Sequence, residues 1–144
     1  MSEIIYIYRG KAIDSHPADI RWLKKDELDL FNEHLLLCGQ RPLAREIWNK
    51  AYDEGTIYCL LFDEKLPVAR ACAEKYSDDR WEVADVRVAG DYRRRGFAHA
   101  VCVWVLNYIL ENAKIPTIRT EEDNYAMQRV IEKLGFCPCH DSLS

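Results

Sequence analysis

The stretch Val86-Arg87-Val88-Ala89-Gly90-Asp91-Tyr92-Arg93-Arg94-Arg95-Gly96-Phe97-Ala98 decides how this chain is read. An apolar strand runs into a basic, glycine-containing turn, and that turn opens a helix. Backbone N–H groups at a helix start have no intrahelical partner and lie at the positive end of the helix dipole. With Arg93, Arg94 and Arg95 beside them they make a site for a di-anion such as a pyrophosphate. Gly96 lets a ligand approach the backbone closely, and the small Ala98 keeps the helix entrance clear. On these residues alone, a solvated charge run over a strand–helix turn is an equal reading.

Upstream of this turn the pattern predicts a three-strand meander: Thr56–Phe62, Val68–Tyr76 and Trp81–Val88, joined by Asp63-Glu64-Lys65 and Ser77-Asp78-Asp79. Strict alternation along the third strand puts Glu82, Ala84, Val86 and Val88 on one face and Trp81, Val83, Asp85 and Arg87 on the other. Before the meander, Leu28, Phe31, Leu35 and Cys38 repeat with helical spacing. A second helix is expected from Pro42 with Ala44, Ile47, Trp48 and Ala51 as its inner stripe. Short apolar runs at Ile4–Tyr8 and Ile20–Leu23 are strand-like. Downstream, the apolar helix ending near Ala113 is hydrophobic nearly all round and should be deeply packed. A strand at Ile115–Thr120 and a helix opened by Asn124 and closed by Gly135 follow. Strands and helices are interleaved in one domain, which makes the chain α/β or mixed α+β.

The 144 residues, 49% apolar and 31% charged, suit one soluble globular domain. A net charge of -4 argues against a general nucleic-acid binder, whose surface should be basic. The apolar run Ala100–Leu106 is far below the ~20 residues that span a bilayer, and the N-terminus has no signal-peptide pattern, so no membrane partner is expected. Cys59, Cys72 and Cys102 sit in apolar runs. All six cysteines are expected as thiols in a reducing cytoplasm. Cys137-Pro138-Cys139-His140 has no second ligand pair at zinc spacing, so no metal is expected and the segment reads as a disordered or packed tail.

Arg93-x-x-Gly96-x-Ala98 resembles the Arg/Gln-x-x-Gly-x-Gly/Ala signature of the GNAT superfamily of acyl-CoA-dependent N-acyltransferases. Asn124, followed by Glu132-Lys133-Leu134-Gly135-Phe136, is similar to that family's second motif, and Ile20–Leu28 resembles its entrance. The resemblance covers residues 19–137 and leaves 1–18 as an N-terminal extension of the single domain. It implies a mostly antiparallel mixed sheet splayed into a V, flanked by about four helices, with acetyl-CoA as cosubstrate. Its pantetheine would lie against the strand backbone near Val86 and Val88, and its pyrophosphate on the N–H groups from Arg94 through Phe97 to Ala98. Asn124 would hold it from the opposite side. The implied activity is acetyl transfer to a primary amine of a small molecule, amino acid or peptide. The alternative is a non-catalytic acyl-CoA-binding sensor or regulatory module.

Glu82 lies eleven residues before Arg93, where family members such as histone acetyltransferases carry a catalytic glutamate. Flanked by Trp81 and Val83, it is the first candidate for general base, against an ordinary glutamate paired with Arg87 or Lys75. Asp85, on the opposite face, is the second candidate, and a water relay the third. Where many members have a proton-donating Tyr before Glu-Lys-Leu-Gly-Phe, this chain has Ile131. The family also usually ends in a two-strand hairpin, whereas eight residues follow Phe136 here. The strand at Ile4–Tyr8 is therefore expected to cover the sheet edge left open, within one subunit or by exchange in a homodimer.

Overall fold

The computed structural model describes residues 2–15 and 18–139; His16 and His140 lie outside them. In chain order the elements are β1 (Glu3–Ile7), β2 (Asp19–Trp22), α1 (Leu28–Leu37), α2 (Arg45–Asp53), β3 (Thr56–Asp63), β4 (Leu66–Glu74), β5 (Arg80–Val88), a 3-10 turn at Gly90–Tyr92, α3 (Phe97–Glu111), β6 (Ile115–Glu121), α4 (Tyr125–Leu134) and β7 (Cys137–Pro138). The described strands form one sheet in the order β2-β3-β4-β5-β6-β1-β7, antiparallel throughout except for the parallel pair β5–β6. The meander is tight because Glu64 and Lys65 both take positive φ (48° and 71°), the geometry of a two-residue hairpin turn that matches strand twist.

One face of the sheet packs on α3 and α4. The alternating Ala69, Ala71 and Ala73 of β4 are small enough to admit α3, whose Val101, Cys102, Val105, Leu106 and Ile109 are all fully buried. On the other face, helices cover β3 and β4, where Leu28, Phe31 and Leu35 of α1 and Trp48 of α2 enclose Leu60. The second helix begins at Arg45 rather than Pro42, and its expected stripe is too wide: Trp48 is fully buried, but Ile47 is 58% exposed. Successive helical residues are rotated by ~100°, and α2 touches the sheet along one narrow seam. Among the described residues no helix is long and apolar enough to cross a membrane. All six cysteines are free thiols, with Cys59, Cys72 and Cys102 buried.

The N-terminal strand does cover the C-terminal half of the sheet, and it does so within the chain. β1 runs antiparallel to β6 from Glu3↔Glu121 to Ile7↔Thr117 and is flanked on its other side by β7. The tail expected after Phe136 is thus a short strand at its start. β1 offers it unpaired backbone groups, and the Cys139 N–H donates to the Ile5 carbonyl at 2.7 Å.

A second correction bears on function. The register between β4 and β5 shifts between Arg70↔Arg87 and Cys72↔Ala84, and Asp85 sits in the bulge with φ +49°. The extra residue breaks the alternation. Val88 now stands opposite Ala69 and Val83 opposite Ala73, so both face α3. Glu82, opposite Glu74, shares the other face with Asp85, which reaches Arg70. The sequence pattern had placed Glu82 and Asp85 on opposite faces.

Candidate active site

The parallel ladder between β5 and β6 is short, from Arg80↔Ile115 to Val83↔Ile118. Beyond it each strand is held by its outer neighbour. The bulged end of β5 follows β4 as far as Ala89, whose N–H donates to the Val68 carbonyl at 2.8 Å, while β6 follows β1 to Glu121. The inner edges part, and among the described residues no strand pairs with the β5 backbone from Ala84 to Val88 on that side. A cleft of about 280 Å³ opens there, with Glu82 and Arg119 near its apex and Asn124 and Met127 on its β6–α4 wall. A larger cavity of about 470 Å³, under Cys137 at the β1–β7 end, is lined mainly by apolar groups and carries no carboxylate. The carboxylates Glu74, Glu82 and Asp85 converge on the smaller cleft.

The turn after β5 supplies the anion cradle. Arg94 and Gly96 are both left-handed (φ +65° and +81°), separated by one residue that is not. This alternation curls successive N–H groups toward one side. A Cβ on Gly96 would meet nothing within 4 Å, so the cradle is open outward. The N-cap residue of α3 is Gly96, which has no side chain to cap the helix, so the first N–H groups, those of Phe97 and Ala98, have no partner from that position. The three arginines are not equivalent. Arg95 lies over the Tyr92 ring and pairs with Asp63 at 3.3 Å. Arg93 Nε donates to the Val88 carbonyl at 3.4 Å, and Arg94 has no partner among the described residues. An uncapped helix start, a backbone nest and a split sheet together fit the pyrophosphate and pantetheine of a CoA thioester.

Glu82 is the cleft's buried carboxylate, 7% exposed. Its cation is neither Lys75, which lies over the Trp81 ring, nor Arg87. Arg119 Nε donates to both carboxylate oxygens, at 3.0 and 3.1 Å. Burial pushes the Glu82 pKa up; Arg119 opposes the rise by charge and hydrogen bonding, while Glu74 and Glu3 add to it, and the net direction is upward. Arg119 is the site residue that strand and helix patterns miss. Only the β5–β6 pairing, which sets Glu82 against Thr117, brings it near.

Asp85 is held differently. Its oxygens accept hydrogen bonds from Arg70 Nη2 at 3.0 Å and Nε at 3.2 Å, and from the Tyr58 hydroxyl at 2.6 Å. The same Arg70 donates from Nη1 to Gln40 in the α1–α2 connection. This clasp braces the bulge that splits the sheet. Asn124 Oδ1 accepts the Met127 N–H at 3.2 Å and caps α4. Ile131 is fully buried, so no proton donor reaches the cleft from that position.

No curated protein matches the sequence. Among solved structures, a GNAT-family protein of Novosphingobium aromaticivorans superposes with a TM-score of 0.77 at 20% identity, covering 95% of this chain and 59% of its own. A GNAT-family acetyltransferase of Colwellia psychrerythraea gives 0.75 at 15% identity, over 95% of this chain and 52% of its own. This chain therefore spans little more than half the length of those two. AAC(6')-Iy, solved with the bisubstrate analogue CoA-S-monomethyl-acetylneamine, gives 0.68 at 19% identity, over 85% of this chain and 92% of its own. At these identities the likeness shows a shared fold. The sequence itself matches the model of the acetyltransferase (GNAT) family over residues 20–136, which takes in the cradle, the split strands and the Asn124 helix, and the chain belongs to that family.

Proposed function

We propose that the protein is an N-acetyltransferase that moves an acetyl group from acetyl-CoA directly to a primary amine of a small molecule, amino acid or peptide. The observation that carries this reading is Glu82, a buried carboxylate at the apex of the cleft where β5 and β6 part. Acetyl-CoA brings the acyl group as a thioester already activated for attack. The backbone of Val86 and Val88 is available to hydrogen-bond its pantetheine arm, and the N–H groups from Arg94 to Ala98 to receive its pyrophosphate. Arg93 and Arg94 add positive charge, and Asn124 stands on the opposite wall.

An acceptor amine with pKa ~10.4 arrives as an ammonium ion, and it must lose a proton before it can attack. Glu82 takes that proton in this reading. Its raised pKa, caused by burial, makes it a stronger base than a surface glutamate. Asp85 is instead engaged by Arg70 and Tyr58.

Glu82→Gln should lower kcat by roughly 10²–10³-fold with the calorimetric affinity for acetyl-CoA unchanged. The buried Ile131 favours one competing reading, a module that holds acyl-CoA without turnover. Thiol release over a panel of amines separates the two. Tight binding with no release from any amine would support the sensor.

A further inference from the structure

Beside Glu82 the cleft holds an exposed guanidinium, and a carboxylate of the first strand, outside the cleft lining, approaches that guanidinium; the transfer chemistry above employs neither. Arg119 projects from β6 with its side chain 41% exposed. Its Nε is committed to Glu82, and its Nη1 stands 3.8 Å from Glu3 Oε1 on β1. Glu82 otherwise faces like charge. Glu74 of β4 is directly opposite it in register, and Glu3 adds a second carboxylate. From the β4–β5 connection comes a neutral group, Tyr76, whose hydroxyl bonds Thr117 at 2.9 Å. On its own strand, Asp85 is already neutralised by Arg70. Among the described residues Arg119 is the cation that reaches Glu82. Without it, a carboxyl buried beside two carboxylates would hold its own proton and could not take one from an ammonium ion.

We propose that Arg119 is a positioning residue that keeps Glu82 ionised and aimed into the cleft, while Glu3 holds the other end of the guanidinium, so that the N-terminal strand helps to set the strength of the base. The proposal rests on Glu82 being the general base. It makes predictions of opposite sign for two neighbours in contact. Arg119→Gln removes the stabilising cation, so Glu82 titrates at higher pH. Glu3→Gln removes a like charge and leaves the guanidinium to Glu82 alone, so Glu82 titrates at lower pH.

The direct readout is carbon-13 NMR titration of the side-chain carboxyl resonances in the full chain, with Glu82 assigned through Glu82→Gln. The acid limb of kcat/KM against pH should move with it: upward in Arg119→Gln, back toward wild type in Arg119→Lys, and downward in Glu3→Gln. A Glu82 resonance that keeps its titration in Arg119→Gln while the protein merely loses stability would overturn the proposal. So would an upward move in Glu3→Gln. Should Arg119→Gln fail to fold, the sign of the Glu3→Gln shift decides alone. If Glu82→Gln leaves turnover and the acid limb intact, the general-base reading fails, whereas the NMR titration still reports whether Arg119 holds Glu82.

Discussion

His34 lies between α1 and β4 with no exposed surface, and its Nδ1–H donates to the Pro67 carbonyl at 2.7 Å. Burial pulls its pKa down to about 4, with Arg70 adding to the fall and the Pro67 bond and Asp85 opposing it. The unfolded chain therefore takes up the proton first, near pH ~6.5. The stability that His34 contributes is complete above that pH, declines as the pH falls toward about 4, and amounts to on the order of 3 kcal/mol. Urea unfolding between pH 7.5 and 4.5 should show the decline, and His34→Leu should flatten it whatever its own baseline. A wild-type slope retained in His34→Leu would mean that His34 is not the group responsible, since Glu27, whose lowered pKa acts only at more acid pH, cannot supply a slope in this window. At this scale the sequence was partly legible. Glu82 could be singled out because the family resemblance implies a glutamate at that offset from Arg93, and the offset runs along one strand and its following turn. The face it shares with Asp85 could not be read, since a single left-handed residue reverses the alternation and nothing local to Val83-Ala84-Asp85-Val86 announces it. Arg119 was hidden for a different reason, because its partner is set by pairing between distant segments.

β1 is an interior strand built from the first residues of the chain. Tyr6 and Ile7 are 2% and 8% exposed, Tyr6 faces Ile118 and the α3–α4 core, and the hydrogen-bond ladder continues to β6 and β7 on either side. Ile5 points to the opposite face and is 42% exposed. The alternation of one strand thus separates two energetic roles. Tyr6→Ala should cost about 3–5 kcal/mol, a large part of the stability of a domain this size, whereas Ile5→Ala should cost less than about 1 kcal/mol. Chemical denaturation of the two variants checks the contrast, and equal losses would mean that β1 contributes backbone pairing rather than core. Most elements were legible because each is marked by local periodicity and by turn residues such as Glu64-Lys65 and Gly135. Their boundaries moved by one to three residues, the most at the start of α2. The insertion of β1 between β6 and β7 had no local marker beyond the β-rich run itself and an edge in need of cover.

Across the molecule, the α-helices divide the two faces of the sheet unequally. α3 and α4 back one face, and α1 and α2 cover the β3–β4 half of the other. Among the described residues no helix packs over β5, β6 and β1 on that second face, where Ile5 and Tyr76 remain 42% and 51% exposed. The split between β5 and β6 joins this bare half to the cradle at the start of α3. A cosubstrate anchored at the cradle and an acceptor resting on the bare half would meet beside Glu82. This arrangement predicts unequal responses at Arg94 and Arg95. Acetyl-CoA titrated calorimetrically into the wild-type protein should bind, and the double variant Arg94→Glu/Gly96→Glu should lose about 10²-fold or more in affinity. It sets like charge against the phosphates and forces a side chain onto a backbone at φ +81°. Arg95→Ala should lose far less, because Arg95 is committed to Asp63 and Tyr92. Equal losses from Arg95→Ala and the double variant would mean that the Asp63 pair breaks on binding and that Arg95 turns to the phosphates. An undiminished affinity in the double variant would move the anion away from the start of α3, and the placement of the cosubstrate in the split sheet would fall with it.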